Sequence, residues 1–142
     1  KNYKVLSEVG SKAEGILISP AKWIRMMSNE LQAGSFKVIA EARESGNVGI
    51  YRPNGSAHVQ LVRRILANVA LEDILWEAPK KPQQVWFLRQ FGANVNLGNI
   101  GPNDLIPLEC LRLGLRGDTF FEHLPDGLAE GKRLVNDTVE ED

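Results

Sequence analysis

The sequence predicts an α/β fold in which four strand–helix units over residues 1–121 build a parallel sheet. Short apolar segments alternate with longer amphipathic ones, the order expected of parallel strands joined by right-handed helical crossovers. The strand segments are apolar along most of their length, as strands covered on both faces should be. Four such units make half of a (β/α)8 barrel, or a small open sheet.

The first unit has a well-marked helix. A strand is predicted over residues 4–9, and a helix begins after Ser19, whose hydroxyl can cap it, with proline at the first helical position. Gly34 ends this helix. Trp23 and Met27 lie four residues apart, so we expect them to form the face that packs on the sheet.

The second and third units follow the same order. The second strand is predicted over residues 36–42 and its helix over 58–71. The third strand is predicted over 73–78, and a helix led by proline follows over 82–92. The segment 43–56 is a glycine-rich loop with the turn sequence Pro-Asn-Gly, and a lid role is open to it.

The fourth unit is the least regular. A strand is predicted over 93–100 and a helix over 102–114, with Pro107 as an alternative start for the helix. Residues 122–142 are polar and acidic, and we predict that they form a tail outside the four-unit domain.

Charge and composition exclude several classes of function. The net charge of −1 gives no electrostatic case for nucleic acid or an anionic membrane, and no apolar run approaches the roughly 20 residues that span a bilayer. Cys110 is the single cysteine, so an internal disulfide is excluded and a reducing compartment, the cytoplasm, is favoured. His58 and His123 lack the spacing of metal ligands.

The beginning of the chain suggests a piece of a longer protein. The first residue is Lys1 rather than methionine, and a strand pattern follows almost at once. Half a barrel would also leave two edge strands with unpaired backbone groups. We therefore expect association, either with a missing half of the barrel or as a homo-oligomer.

Acidic residues recur at the ends of the first three predicted strands: Glu8, then Glu41 with Glu44, then Glu77. The carboxyl ends of parallel strands meet at one rim, where the sites of such folds lie. Converging carboxylates repel one another, and a hard cation such as Mg²⁺ relieves that cost. Any single glutamate could instead cap a helix or pair with a basic residue, but three in the same structural position favour a magnesium site.

Basic residues lie at the same predicted rim. Lys12 follows the first strand, Arg43 follows the second strand, and Arg116 follows the fourth helix. Together they could hold an anionic substrate, since arginine binds phosphate or carboxylate through paired hydrogen bonds. Lys80 and Lys81 also lie nearby, but we interpret them as solvated surface residues.

Four runs of the sequence together resemble one protein family: KVLSEVGSK, EARESGNVGIY, ILWEAPKKPQQVWFLRQFGANVNLGNI and LECLRLGLRGDTF. Each run alone is weak, but in combination they look like phosphosulfolactate synthase. The resemblance covers Lys4 to Phe120, most of the chain. It implies a (β/α)8 TIM barrel of which this chain is the carboxyl-terminal half. Plant heat-stress-associated proteins are relatives with the same fold.

The resemblance also implies a reaction. Family members add sulfite to phosphoenolpyruvate in the presence of Mg²⁺, giving (2R)-phospho-3-sulfolactate, for coenzyme M synthesis in methanogens or sulfolactate metabolism in bacteria. The motif EVG-x-K suggests Lys12 as the general acid. The other site residues that we expect are Glu8, Glu41 and Glu77 for the metal, Arg43 and Arg116 for phosphate or sulfite, and Gln83 and Asn96 for substrate oxygens.

Two other interpretations stay open. A non-catalytic barrel relative would act as a stress or interaction protein and would lack metal or anion binding. Another barrel lyase or aldolase could use the same rim for a different small phosphorylated acid. In that enzyme Lys12 would form a Schiff base with the substrate rather than donate a proton.

Overall fold

The computed structural model describes residues 3–11 and 18–123, in which four strands alternate with four α-helices. The bounds are β1 Leu6–Val9, α1 Pro20–Gln32, β2 Lys37–Ala40, α2 Val59–Leu66, β3 Ile74–Glu77, α3 Lys81–Phe91, β4 Leu97–Gly98 and α4 Leu105–Arg112. Short 3-10 turns lie at Leu71–Asp73, Pro102–Asp104 and Phe120–His123. None of the helices in these ranges is long and apolar enough to cross a membrane.

The four strands form one parallel sheet in the order β1-β2-β3-β4. Crossovers between parallel strands are right-handed in nearly all proteins. An order that always advances in one direction therefore places every helix on the same face of the sheet. This is the wall of a partial α/β barrel, and the fold class predicted from the sequence is confirmed.

The two faces of the sheet differ in burial. The helix-covered face consists of Val9, Val38, Ala40, Ile74 and Trp76, each at most 1% exposed. The alternate residues form what we call the open face: Leu6, Glu8, Lys37, Ile39, Leu75 and Glu77. All six are exposed or only half-buried. Within the described residues, therefore, only one of the two faces expected to be covered is covered.

Aromatic side chains fill the space between the sheet and the helices. Trp23 and Met27 of α1 are at most 1% exposed, as their spacing predicted. Trp76 stacks on Phe87 of α3, with ring centroids 5.2 Å apart. Burial of each large apolar side chain contributes roughly 1.5–3 kcal/mol. The Ser19 hydroxyl accepts a hydrogen bond from the Lys22 N–H at 3.3 Å and so caps α1 as predicted.

The fourth unit departs most from its predicted bounds. β4 has two residues rather than eight, and α4 begins at Leu105 after a 3-10 turn. Pro107 lies in the first turn of α4, where its missing N–H has no helical acceptor to lose. Residues 124–142 lie outside the described residues, and with them nearly all of the predicted tail.

Candidate active site

Two glutamates lie beside each other at the carboxyl ends of β2 and β3. Ala40 and Trp76 pair in register, so the residues that follow them, Glu41 and Glu77, are neighbours. Alternation along the strands turns both away from the helix-covered face. Glu41 is 5% exposed and Glu77 is half-buried. We call Glu41 and Glu77 the acid pair.

Backbone and side-chain donors hold Glu77 in place. Its Oε2 accepts a hydrogen bond from the Ala42 N–H at 2.5 Å. The carbonyl of Ala42 in turn accepts from Asn99 Nδ2 at 3.0 Å. The Tyr51 hydroxyl donates to the backbone carbonyl of Glu77 at 2.5 Å. Three segments of the chain therefore meet at this one acid.

Residues 43–56, which we call the rim loop, pack against the acid pair. Gly49 has a φ of 74°, and a Cβ built there would stand 2.1 Å from the carbonyl oxygen of Glu41. Only glycine permits that approach. Tyr51 is 5% exposed, and burial followed by the charge of Glu77 raises its pKa above the usual value. Its hydroxyl therefore stays protonated and remains a donor.

Gln83, in the first turn of α3, joins the two ends of the rim loop. Its Nε2 donates to the carbonyls of Gly46 and Gly55 at 2.7 and 3.0 Å. Its Oε1 accepts from the Lys80 N–H at 3.1 Å, which caps α3. The side chain is 3% exposed. The sequence predicted that this amide contacts substrate, whereas here both of its N–H groups bond to the rim loop.

A cleft of about 960 Å³ lies between the start of α1 and the rim loop. Trp23 contributes to its apolar wall, and Arg52 and His58 are among its polar lining residues. An apolar cleft with a few polar groups is the usual form of a small-molecule site. Gly49 of the rim loop lines this cleft and also lies against the backbone carbonyl of Glu41.

Comparison with known proteins identifies the family. The sequence profile described as (2R)-phospho-3-sulfolactate synthase matches residues 1–118. The chain belongs to this synthase family. The resemblance predicted from the four sequence runs is confirmed, and the family fold is a TIM barrel.

Individual relatives match most of this chain. A phosphosulfolactate synthase from Bacillus subtilis is 44% identical over 122 residues, which cover 84% of this chain and 48% of that protein. The corresponding protein of Methanothermobacter thermautotrophicus is 43% identical, with coverage of 84% and 47%. Protein HEAT-STRESS-ASSOCIATED 32 of Arabidopsis thaliana is 25% identical over 89 residues, covering 63% of this chain and 29% of that protein. The chain thus spans about half the length of the synthases it matches.

The three glutamates predicted to bind metal do not come together as one group. Glu8 pairs in register with Ile39, two residues before the level of the acid pair, and it is exposed. Within residues 3–11 and 18–123, no three acidic, histidine or cysteine side chains are arranged to hold a metal ion. Of the three predicted acids, the two that lie side by side are Glu41, directly after β2, and Glu77, at the end of β3.

The predicted basic residues lie in different places. Lys12 lies outside the described residues. Arg43 is exposed at the start of the rim loop, and Arg116 is half-buried in the turn after α4. An ion pair between Lys81 Nζ and Asp118 Oδ2, 2.7 Å long, fixes that turn to α3. Lys81 therefore has a structural contact that its interpretation as a solvated residue did not include.

Asn96 lies near the opposite end of β3 from the acid pair. Its Nδ2 donates to the carbonyls of Glu72 and Ile74 at 3.2 and 3.1 Å. The sequence placed it near the end of a long fourth strand, but β4 begins only at Leu97. A substrate contact through the Asn96 N–H groups would require its amide to leave these carbonyls. Asn99 occupies the rim instead.

Sequence reasoning missed the contacts of Tyr51 and Gly49 and did not include Asn99 among the site residues. The signal that could have identified the first two is the cluster of glycines in the rim loop. Such glycines often mark a backbone that approaches another segment closely.

Proposed function

We propose that this chain is the acid-bearing part of a synthase that adds sulfite to phosphoenolpyruvate and forms (2R)-phospho-3-sulfolactate. Family membership supports the reaction, and the acid pair at the strand ends is the observation that supports its location. Barrel enzymes carry their reacting groups at the carboxyl ends of the strands. We further propose that the reaction takes place in the cytoplasm and serves coenzyme M synthesis or sulfolactate metabolism.

The acid pair suits a magnesium ion. Mg²⁺ is usually held by one or two carboxylates, with water and substrate oxygens as its other ligands. Glu41 and Glu77 supply two carboxylates on neighbouring strands, and the Ala42 N–H fixes the carboxylate of Glu77. When bound, the ion would neutralise negative charge that develops on the carboxylate of the substrate. In this proposal Glu8, one layer deeper on the open face, adds negative charge without a direct bond to the ion.

The reaction needs an acid as well as a cation. Sulfite forms a carbon–sulfur bond at the methylene carbon, and the electron pair of the double bond moves toward the substrate carboxylate. The Lys12 ammonium then gives a proton to the carbon that bears the phosphate and regains one from solvent. Ser11, the residue before Lys12, lines the cleft between the start of α1 and the rim loop, which supports this position for the acid.

The two arginines supply the positive charge that anionic substrates require. Arg43 begins the rim loop two residues after Glu41, and Arg116 lies in the turn that Asp118 joins to α3. We assign phosphate and sulfite to these two guanidinium groups, since arginine binds such anions through paired hydrogen bonds.

The open face supports a proposal about assembly. Leu6 is 47% exposed, Ile39 and Leu75 are half-buried, and β1 and β4 are the edges of the described sheet. Closed barrels pair every strand and fill their interior with side chains. Because the chain spans about half of its relatives, we propose that the rest of a barrel covers this face. A second copy of this chain is the alternative.

Phosphorus NMR tests the proposed reaction. The chain is assayed alone and as the joined protein, which is this chain fused to the part of the Bacillus subtilis synthase that it does not cover. We expect the joined protein to convert phosphoenolpyruvate into a new phosphate ester only when sulfite and Mg²⁺ are both present. No product from the joined protein, with the Bacillus subtilis synthase active beside it, would contradict the proposal. Product from the chain alone, with a dimer by light scattering, would favour the second copy.

The competing proposal is a non-catalytic relative with a role in stress, the role that the name of the plant protein, 25% identical to this chain, suggests. Ligands that bind the native state raise the melting temperature. A melting temperature raised by phosphoenolpyruvate with Mg²⁺, without any product, would support a binding protein. Trapping of substrate on Lys12 by borohydride would instead support a Schiff-base lyase.

A further inference from the structure

Both N–H groups of the Gln83 amide are bonded to the rim loop, at its two ends. The contact at Gly46 is close, because a Cβ built there would stand 2.7 Å from Nε2 and 3.0 Å from Oε1 of Gln83. Gly46 and Gly55 both have positive φ values, 65° and 83°, and these turn their carbonyls within reach of one amide. The amide therefore fixes the separation of the loop ends.

The end of the rim loop at Gly46 is connected to Arg43 and Glu77 by hydrogen bonds. The Gly46 N–H donates to the Arg43 carbonyl at 2.7 Å, which closes the turn that presents Arg43. Ala42, the residue before that turn, donates its N–H to the Glu77 carboxylate. A shift of Gly46 would therefore move Arg43 and would disturb the donor that orients Glu77.

The end of the rim loop at Gly55 is also connected to Glu77 by hydrogen bonds. The Gly55 N–H donates to the Arg52 carbonyl at 2.8 Å, in a turn that Arg52 closes by donating its own N–H to the Ser56 carbonyl. Tyr51, the residue before this turn, donates to the backbone carbonyl of Glu77. The carboxylate and the backbone carbonyl of Glu77 are thus held by residues next to the two loop ends that Gln83 joins.

We propose that Gln83 is a positioning residue, which holds the rim loop so that Arg43 and Glu77 are placed to bind a phosphorylated anionic substrate. This inference rests on the proposed function. Gln83 does not contact the substrate and acts through backbone carbonyls. Loss of the two Gln83 hydrogen bonds should weaken substrate binding more than the chemical step. Arg43, proposed to bind the substrate, lies at the loop end that Gln83 holds, whereas the proposed general acid, Lys12, lies in the sequence between β1 and α1.

Gln84 provides a matched control. It is also buried, at 2% exposed, and it lies in the same turn of α3. Its Nε2 donates to the carbonyl of Ala78 at 3.1 Å, and the structure shows no bond from it to the rim loop. Gln83→Met and Gln84→Met each remove a buried amide of the same size, so general destabilisation of α3 should affect both. Gln83→Glu keeps an oxygen for the Lys80 N–H but lacks the two donors.

Two readouts are measured on these variants. Hydrogen exchange at the Gly46 and Gly55 amides is followed in the chain itself, and steady-state kinetics in the joined protein. For Gln83→Met and Gln83→Glu we expect about tenfold faster exchange at both amides and about a tenfold rise in KM for phosphoenolpyruvate, with kcat within about threefold. Gln84→Met should leave both measurements within about twofold of wild type.

The outcomes separate this inference from the proposed function. Unchanged KM in both Gln83 variants of an active joined protein, or an equal rise in Gln84→Met, would overturn the positioning role. If the wild-type joined protein makes no product, the proposed function fails, and substrate positioning by Gln83 fails with it. The exchange data then still report whether Gln83 holds the loop. If Gln83→Met does not fold, the same measurements on Gln83→Glu test the positioning role.

Discussion

The backbone N–H of Ala42 donates to Glu77 Oε2 at 2.5 Å, so the residue that leaves β2 orients the acid that ends β3. Hydrogen bonds to a charged group contribute about 1.5–3 kcal/mol, more than those between neutral groups. The ends of two neighbouring strands are therefore fixed to each other at the rim. A carboxylate held in this way is preorganised for a cation, since little of its orientation is left to be lost on binding.

Removal of the Tyr51 hydroxyl should destabilise the protein. Tyr51→Phe keeps the buried ring and leaves the Glu77 carbonyl without this donor, which should lower the free energy of unfolding by about 1–3 kcal/mol. Urea unfolding followed by tryptophan fluorescence measures the change. Tyr3→Phe is the control, because Tyr3 is 77% exposed. Equal stability of Tyr51→Phe and wild type would show that the bond to Glu77 contributes nothing net.

Two glycines with similar φ angles should respond differently to alanine. Gly92→Ala, at a φ of 89° and a ψ of 171° with no atom within 4 Å, should cost only the strained backbone conformation, about 1–3 kcal/mol. Gly49→Ala, at a φ of 74°, would also meet the Glu41 carbonyl and should cost about 3 kcal/mol or more. Chemical denaturation of both variants checks the order. Equal losses would mean that the rim loop does not rest on Glu41.

The ion pair at the turn after α4 should make stability depend on pH. The hydrogen bond from Lys81 holds the pKa of Asp118 below its ordinary value of 3.8. A carboxyl with a lowered folded-state pKa contributes stability above its unfolded pKa and loses it as the pH falls through the folded value.

Lys81→Met should therefore be less stable than wild type at pH 7. The difference should shrink as the pH falls below 3.8 and through the lowered folded-state pKa of Asp118. Thermal unfolding across this range measures it, with Lys80→Met as the neighbouring control. A deficit that stays unchanged as the pH falls well below 3.8 would have to come from lost packing of the lysine stem.

The strand order and the acid pair could be predicted because both follow from local patterns. Short apolar segments between amphipathic helices require parallel strands, and Glu41 and Glu77 occupy the same place relative to their strands. Glu8 looked equivalent in the sequence. The strand register distinguishes Glu8 from the acid pair. Gly10, two residues after Glu8, lies at the level of Glu41, and a Cβ built on Gly10 would meet the Cβ of Glu41.

The contacts that complete the rim could not be predicted from local pattern. Tyr51 bonds to a residue 26 positions away, and Asn99 to one 57 positions away, so no short motif contains either pair. Asn96 directly precedes the two-residue β4 and Asn99 directly follows it, and the sequence alone does not show where so short a strand begins. Gln83 looked like a substrate ligand because the sequence does not show that two glycine carbonyls lie within reach of its amide.

Mn²⁺ binding to the joined protein tests whether the acid pair holds a divalent cation. Electron paramagnetic resonance measures the concentration of free Mn²⁺ during a titration, and this measurement does not require catalysis. Glu77→Gln can still accept the Ala42 N–H but loses its charge, and Glu44→Gln removes the same charge from an exposed site on the rim loop.

We expect Glu77→Gln to weaken Mn²⁺ binding by about tenfold or more, while Glu44→Gln stays within about twofold of wild type. Binding as tight in Glu77→Gln as in wild type would contradict this expectation and would leave Glu77 with a structural role at the rim.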